Sequence, residues 1–266
     1  MRVGFYQFSP EFGNKKANLE KIRFVLRDTD ADLIVLPELF STGYQFVDKK
    51  EVLELAEKIP DGFTTGELMK ISNENNVSIV AGICERDDEK LFNSAVLVTP
   101  SGFTGKYRKT HLFFEEKLFF EPGDTDFNVF TVGGINIGIM VCFDWIFPEA
   151  ARILSLRGAD IIAHPSNLVL PYCQEAMKTR SIENSVFTIT ANRIGNEKRG
   201  NKKELNFTGG SQITGPDGEI LLKAGNNEEK LGVVDIEPGK ARNKKLNKYN
   251  DIIRDRKKHL YSELLK

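Results

Sequence analysis

From Asp32 to Leu36 the chain runs Asp-Leu-Ile-Val-Leu, with no polar residue between Asp32 and Pro37. A strand with one face in water alternates apolar and polar side chains. A strand without alternation is buried on both faces. Val77–Ile83 repeats the pattern, and Ile161–Ala163 is a further short strand in the second half. Strands of this kind need a packed layer on each side, which requires helices or a second sheet above and below.

The flanking segments supply those layers. Asn14–Arg27 has apolar positions at Leu19, Ile22, Phe24, Val25 and Leu26 with charges between them and is expected to be helical, as are Glu51–Lys58 and Thr64–Asn75. Pro148 suits a first helical turn, predicting a helix to Leu156, and Cys173–Asn184 is a further helix. Arg2–Phe8, Leu91–Val98, Phe103–Tyr107, Phe187–Ala191, Gly210–Thr214, Glu219–Leu222 and Gly232–Ile236 are expected strands. Gly133-Gly134 between Val129–Val132 and Ile135–Val141 marks a hairpin. These elements predict one α/β domain over residues 1–266, with a mixed sheet or two sheets covered by helices. The charged loop Gly195–Glu204 is expected to be mobile or to meet a partner. The stretch 238–266 is expected to form an arm at a subunit contact, with a helix over Asp251–Leu264.

Charge and cysteine usage exclude several classes. The net charge of -1 over 266 residues argues against a broad nucleic-acid footprint. Three cysteines without C-x-x-C spacing fit neither a disulfide scaffold nor a zinc site. The expected setting is therefore reducing and cytoplasmic. No apolar run approaches the ~18 residues of a membrane span, and Met1–Pro10 lacks a signal-like apolar core. Neither a metal nor an organic cofactor is expected.

Three residues stand out for their chemistry. Glu38 ends a buried apolar strand, where α/β folds collect ligand sites, and is a candidate general base. Lys109 follows a strand and precedes a Phe-rich stretch; a lone lysine there is ordinarily solvated. Cys142 ends a strand and leads toward a helix, whose amides favour thiolate. Cys84 lies inside an apolar strand and fits a packing role, and Cys173 opens a helix. A cysteine–histidine mechanism would need His111 or His164 beside Cys142, and neither lies in a motif for it.

Taken in order, Leu-Pro-Glu38-Leu-Phe, Tyr-Arg-Lys109-Thr-His-Leu-Phe and Val-Cys142-Phe-Asp-Trp resemble the three signatures of the nitrilase, or carbon–nitrogen hydrolase, superfamily. Glu116, Phe120-Glu-Pro-Gly123 and His164-Pro-Ser-Asn167 extend the resemblance, which runs from Arg2 to about Asn247. It implies a four-layer α-β-β-α sandwich, commonly paired in homodimers. It implies Glu38 as general base, Cys142 as nucleophile, Lys109 as stabiliser of the tetrahedral intermediate and Glu116 as its orienter. The Phe143 amide is the expected oxyanion donor. Tyr44, Phe113, Phe114, Trp145, Asn167 and Tyr172 are the expected pocket residues, and Arg193 is a candidate for selecting a distal carboxylate. The implied activity is hydrolysis of a small nitrile or amide with release of ammonia. Action on N-carbamoyl amines or ω-amides is the alternative. An inactive binding or assembly protein on the same fold is the alternative of another class.

Overall fold

The computed structural model describes residues 1–265. The first half runs β1 (Arg2–Gln7), α1 (Lys15–Leu26), β2 (Leu33–Val35), α2 (Lys49–Leu55), α3 (Phe63–Asn75), β3 (Ser78–Asp87), β4 (Lys90–Thr99) and β5 (Gly102–Arg108). The second runs β6 (Val129–Val132), β7 (Ile135–Ile139), α4 (Pro148–Leu156), β8 (Ile161–Ser166), α5 (Cys173–Asn184) and β9 (Phe187–Asn192). It closes with β10 (Asn196–Glu197), β11 (Leu205–Asn206), β12 (Gln212–Thr214), β13 (Ile220–Lys223) and β14 (Lys230–Asp235).

Two six-stranded sheets result, ordered β14-β1-β2-β3-β4-β5 and β13-β12-β9-β8-β7-β6. Each has a parallel centre, β1-β2-β3 in one and β7-β8-β9 in the other, flanked by antiparallel strands. Period-two alternation assigns the layers. Leu33 and Val35 face inward and join Ile137, Ile139 and Ile161 between the sheets. Ile34 and Leu36 face outward against Leu19, Ile22 and Leu26 of α1 and Leu68 and Ile71 of α3. Ala151 and Leu154 of α4 and Met177 of α5 cover the other sheet. The expected α-β-β-α sandwich is therefore the observed one.

Local chemistry explains the boundaries. The Asn14 side chain caps α1 by accepting the Ala17 amide at 3.1 Å. Gly133 and Gly134 have φ of 57° and 80°, as a two-residue type I′ turn requires.

Three expectations are corrected. The strand expected over Ile135–Val141 stops at Ile139, because Cys142–Ile146 winds into a 3₁₀ turn. Asp251–Leu264 is not an α-helix but turns and short 3₁₀ segments. Asp251 accepts the amides of Ile253 and Arg254, an aspartate turn that competes with helix, and Leu260 and Leu264 are exposed, so no buried stripe draws the segment into a helix. The charged loop Gly195–Glu204 is pinned to the body. Gln45 bonds both the Arg199 amide and the Lys203 carbonyl, Arg199 pairs with Glu51, and Lys202 with Glu115.

Candidate active site

Glu38, Lys109, Glu116 and Cys142 come from three connections, β2–α2, β5–β6 and β7–α4, and meet between the sheets' carboxyl ends. Glu38 lies just past β2 and is fully buried. Its backbone approaches β3 so closely that a Cβ on Gly82 would lie 2.4 Å from the Glu38 Cα. Glu38 Oε1 accepts from Lys109 Nζ and from Asn93 Nδ2, each at 2.7 Å. Its Oε2 is buried and has no hydrogen-bond partner among the described residues.

Lys109 is the residue after β5, and its direction follows from strand alternation. Arg108 turns to one face and pairs with Glu85, Asp87 and Asp124. Lys109 turns to the other, where its side chain is fully buried. Its amide donates to the Asn93 carbonyl at 2.8 Å, and its carbonyl accepts from Gly123 at 2.9 Å. A Cβ at Gly123 would sit 2.0 Å from the Arg108 carbonyl oxygen, so only glycine lets that loop brace the lysine. Nζ also bonds Glu116 Oε1 at 2.8 Å. Burial opposes the ammonium charge, but Glu116 and Glu38 outweigh it and hold the pKa above the ordinary lysine range.

Glu116 sits in a 3₁₀ turn, Phe114–Leu118. Tyr44 Oη donates to its Oε1 at 2.7 Å and the Phe113 amide to its Oε2 at 3.1 Å. Burial raises its pKa, Lys109 opposes this, and the Glu38 charge adds to it.

Cys142 opens the 3₁₀ turn with φ of 42°, a left-handed conformation that a non-glycine residue seldom adopts. Leu39, beside Glu38, and Phe114, which opens the Glu116 turn, share this strain with φ of 47° and 48°. The Asp144 carboxylate ties the turn down by accepting from the Val141 amide, Tyr107 Oη and the His111 amide. His164 Nε2–H donates to the Cys142 carbonyl at 2.8 Å. Neither histidine hydrogen-bonds the sulfur: His111 Nδ1 pairs with Asp144, and His164 bonds the Cys142 carbonyl and the Thr190 and Ser166 hydroxyls. The thiol was expected to favour the thiolate. Instead, burial and then the Glu38 charge push its pKa well above the usual thiol range, against the pull of Lys109. The resting sulfur is therefore a thiol that needs a base.

Phe113, Phe143, Trp145, Asn167, Leu168, Val169 and Leu170 line the cleft at Cys142, whose free space is about 10 Å³, close to the minimum for one water. Asn167 Nδ2 donates to the Glu38 carbonyl at 2.8 Å, while its Oδ1 is buried without a partner among the described residues. Tyr44 reaches the site through Glu116 instead of lining this cleft. Tyr172 is 62% exposed and outside the lining, contrary to expectation. Arg193 is fully buried, pairs with Glu197 through Nη1 and is outside this lining. Asn93 and Asp144 escaped sequence reasoning, which weighed His164 only as a partner for the sulfur; the one available signal was a polar residue, Asn93, inside an apolar strand. Among the described residues no cluster of His, Cys, Asp or Glu is arranged to hold a metal, and no helix is long and apolar enough to cross a membrane.

Residues 2–245 match the family model described as carbon-nitrogen hydrolase. The chain is 48% identical over 264 residues to a nitrilase of Pyrococcus abyssi, covering 98% of this chain and 99% of that one. Its fold is similar to a carbon-nitrogen hydrolase from Helicobacter pylori G27, with a TM-score of 0.89, 26% identity and coverage of 100% and 98%. It is also similar to an amidase from Nesterenkonia sp. AN1, with a TM-score of 0.81, 25% identity and coverage of 99% of each chain. That amidase was solved with acrylamide added at its active-site cysteine.

Proposed function

The chain belongs to the carbon–nitrogen hydrolase family, and from that premise we propose that it hydrolyses small, uncharged nitriles or amides with Cys142 as nucleophile. One observation carries the reading: Glu38 has one oxygen fixed by Lys109 and Asn93, while the other is buried and unpartnered. That free oxygen is the acceptor for the thiol proton. Burial and the neighbouring carboxylates keep the resting sulfur neutral until Glu38 acts.

With an amide, Glu38 takes the thiol proton and the sulfur attacks the carbonyl carbon. The Lys109 ammonium and the Phe143 amide stabilise the oxyanion, and one such donor is typically worth about 3 kcal/mol. The proton held on Glu38 passes to the nitrogen, the C–N bond breaks, and ammonia leaves a thioester. Glu38 then takes a proton from water, hydroxide attacks the thioester, and the proton returns to sulfur as the acid departs. With a nitrile, the first adduct is a thioimidate, which adds water and loses ammonia to reach the same thioester. Glu116 keeps Lys109 charged and aimed.

The apolar lining and the commitment of Arg193 to Glu197 support compact substrates without a distal charge over ω-amides or N-carbamoyl amines with a charged tail. Homodimerisation through the α4–α5 face and the 238–266 arm is part of the same reading, as is a reducing, cytoplasmic setting. Ile146, Leu156 and Ile182 are exposed on or beside these helices, next to a cavity lined by Arg152, Arg256, Tyr261 and Leu264.

The test is a panel of short nitriles and amides with ammonia release as the readout. The wild type turns over members of the panel, and Cys142→Ala loses at least about 10³-fold in kcat while keeping its thermal unfolding temperature. Substantial turnover by Cys142→Ala sinks the assignment.

A further inference from the structure

Arg193 and Glu197 form an ion pair that the reaction above does not use. Arg193 follows β9, and its side chain is fully buried; Glu197 lies in β10, and its side chain is 6% exposed. Isolated burial of such charges is costly, and apolar residues of similar size often stabilise a fold as well. Burial depresses the Arg193 pKa, and Glu197 is the main group opposing this. Its Nη2 has no partner among the described residues, so the guanidinium is held chiefly by Glu197 and by stacking on Phe207 at 4.0 Å.

The pair's other contacts lead back to the site. The Glu197 carboxylate accepts the consecutive amides of Tyr44 and Gln45, at 3.1 and 2.6 Å. Gly43, with φ of 82°, lets the loop wrap this carboxylate, because a Cβ there would lie 2.9 Å from Glu197 Oε1. Phe207, on which Arg193 stacks, meets the Tyr44 ring edge-on at 5.9 Å. Tyr44 is thus held at its backbone by Glu197 and at its ring by Phe207, and its hydroxyl ends on Glu116 Oε1, the oxygen that also bonds Lys109.

We infer that Arg193 and Glu197 are positioning residues that fix the orientation and protonation of Glu116 through Tyr44. The inference rests on the proposed role of Glu116 as the partner of Lys109. A side-chain hydrogen bond weakens steeply with misalignment, so a small shift of the Tyr44 backbone, transmitted along a rigid ring, removes a donor from Glu116. Loss of a donor to the ionised form raises a carboxyl pKa. The charged or titratable groups facing Glu116 are Lys109, Glu38 and Tyr44, with Cys142 beyond them. Burial and the neighbouring carboxylates hold the Tyr44 proton firmly on its oxygen, so Tyr44 acts only as donor.

The experiment uses the full chain and compares wild type, Tyr44→Phe, the charge-balanced pair Arg193→Gln/Glu197→Gln, and the three substitutions combined. Glu197→Asp is the conservative second variant; it keeps the charge but retracts it from the Tyr44 and Gln45 amides. The direct readout is the pH at which Glu116 takes up a proton, followed by the infrared carboxyl stretch and assigned by difference against Glu116→Gln. It needs no substrate. Tyr44→Phe is expected to raise that midpoint by about one unit, the worth of one hydrogen bond to a charged group. The paired variant and Glu197→Asp move it the same way, and the triple variant moves it no further than Tyr44→Phe. The acid limb of kcat follows the same order, with kcat at neutral pH down about tenfold. An unmoved midpoint in both Glu197 variants, with only thermal stability reduced, overturns the inference. So does a triple variant whose shift is the sum of its parts. Infrared shifts without turnover in the wild type would leave the positioning intact and remove the hydrolase reading instead.

Discussion

At the scale of single residues, the site is a set of buried charges whose roles follow from which lone pairs remain free. Glu38 keeps one oxygen open, Lys109 is gripped by two carboxylates, and Cys142 is a neutral thiol held in a strained backbone conformation. His164 helps hold that conformation. Its bond to the Cys142 carbonyl requires a hydrogen on Nε2, and burial pushes its pKa down to about 4. The unfolded chain therefore binds a proton near pH 6.5 that the folded chain refuses until about pH 4. Stability from this group is complete above pH 6.5 and is lost as the pH falls toward 4, a difference of about 3 kcal/mol. Denaturant unfolding across this window is expected to lose part of its slope in His164→Gln; an unchanged slope would refute the assignment. Glu38, Lys109 and Cys142 were legible as candidates because each sits where a strand ends. The histidine's role was not, since it acts on a backbone carbonyl and not through any motif partner.

The elements deliver these groups through close backbone approaches at glycines. Gly82 admits the Glu38 backbone against β3, and Gly123 admits its loop against the Arg108–Lys109 carbonyls. Gly123→Ala therefore forces the lysine's own backbone to move. It is expected to cost about 1–3 kcal/mol in stability and to lower kcat at least tenfold with little change in KM, because Lys109 loses its aim toward the reacting atoms. Gly66→Ala, in α3 with open space around it, serves as the control and should leave kcat unaltered while raising stability slightly, since alanine favours helix over glycine. Wild-type kinetics in Gly123→Ala would show that the brace is dispensable. Most strands and helices were readable from periodicity, since burial on one or both faces writes itself into the order of apolar residues. The 3₁₀ turn at Cys142 and the irregular arm after Asp251 were not, because both are governed by side-chain-to-backbone hydrogen bonds of Asp144 and Asp251.

For the whole molecule, the arm is tied to the α4–α5 layer by Arg242 on Asp160 and by Lys244 Nζ on the Asn184 and Ser185 carbonyls. Beyond those ties it carries exposed Leu246, Tyr249 and Leu260. If this face is the homodimer contact, light scattering should find the full chain at twice its 30.0 kDa mass. Removal of residues 244–266 should shift it to monomer; a monomeric full chain would end that proposal. The sequence alone determined the layer architecture, the family and the candidates for the reacting side chains. Apolar periodicity and short ordered motifs are local properties of a chain, visible before it folds. Tertiary structure alone decided which oxygen of Glu38 is free, that the thiol is held protonated, that Tyr172 stands away from the cleft and that Arg193 is committed to Glu197. Each depends on the distance and burial of groups far apart in the chain, such as Glu38 and Lys109, and no run of neighbouring residues encodes that.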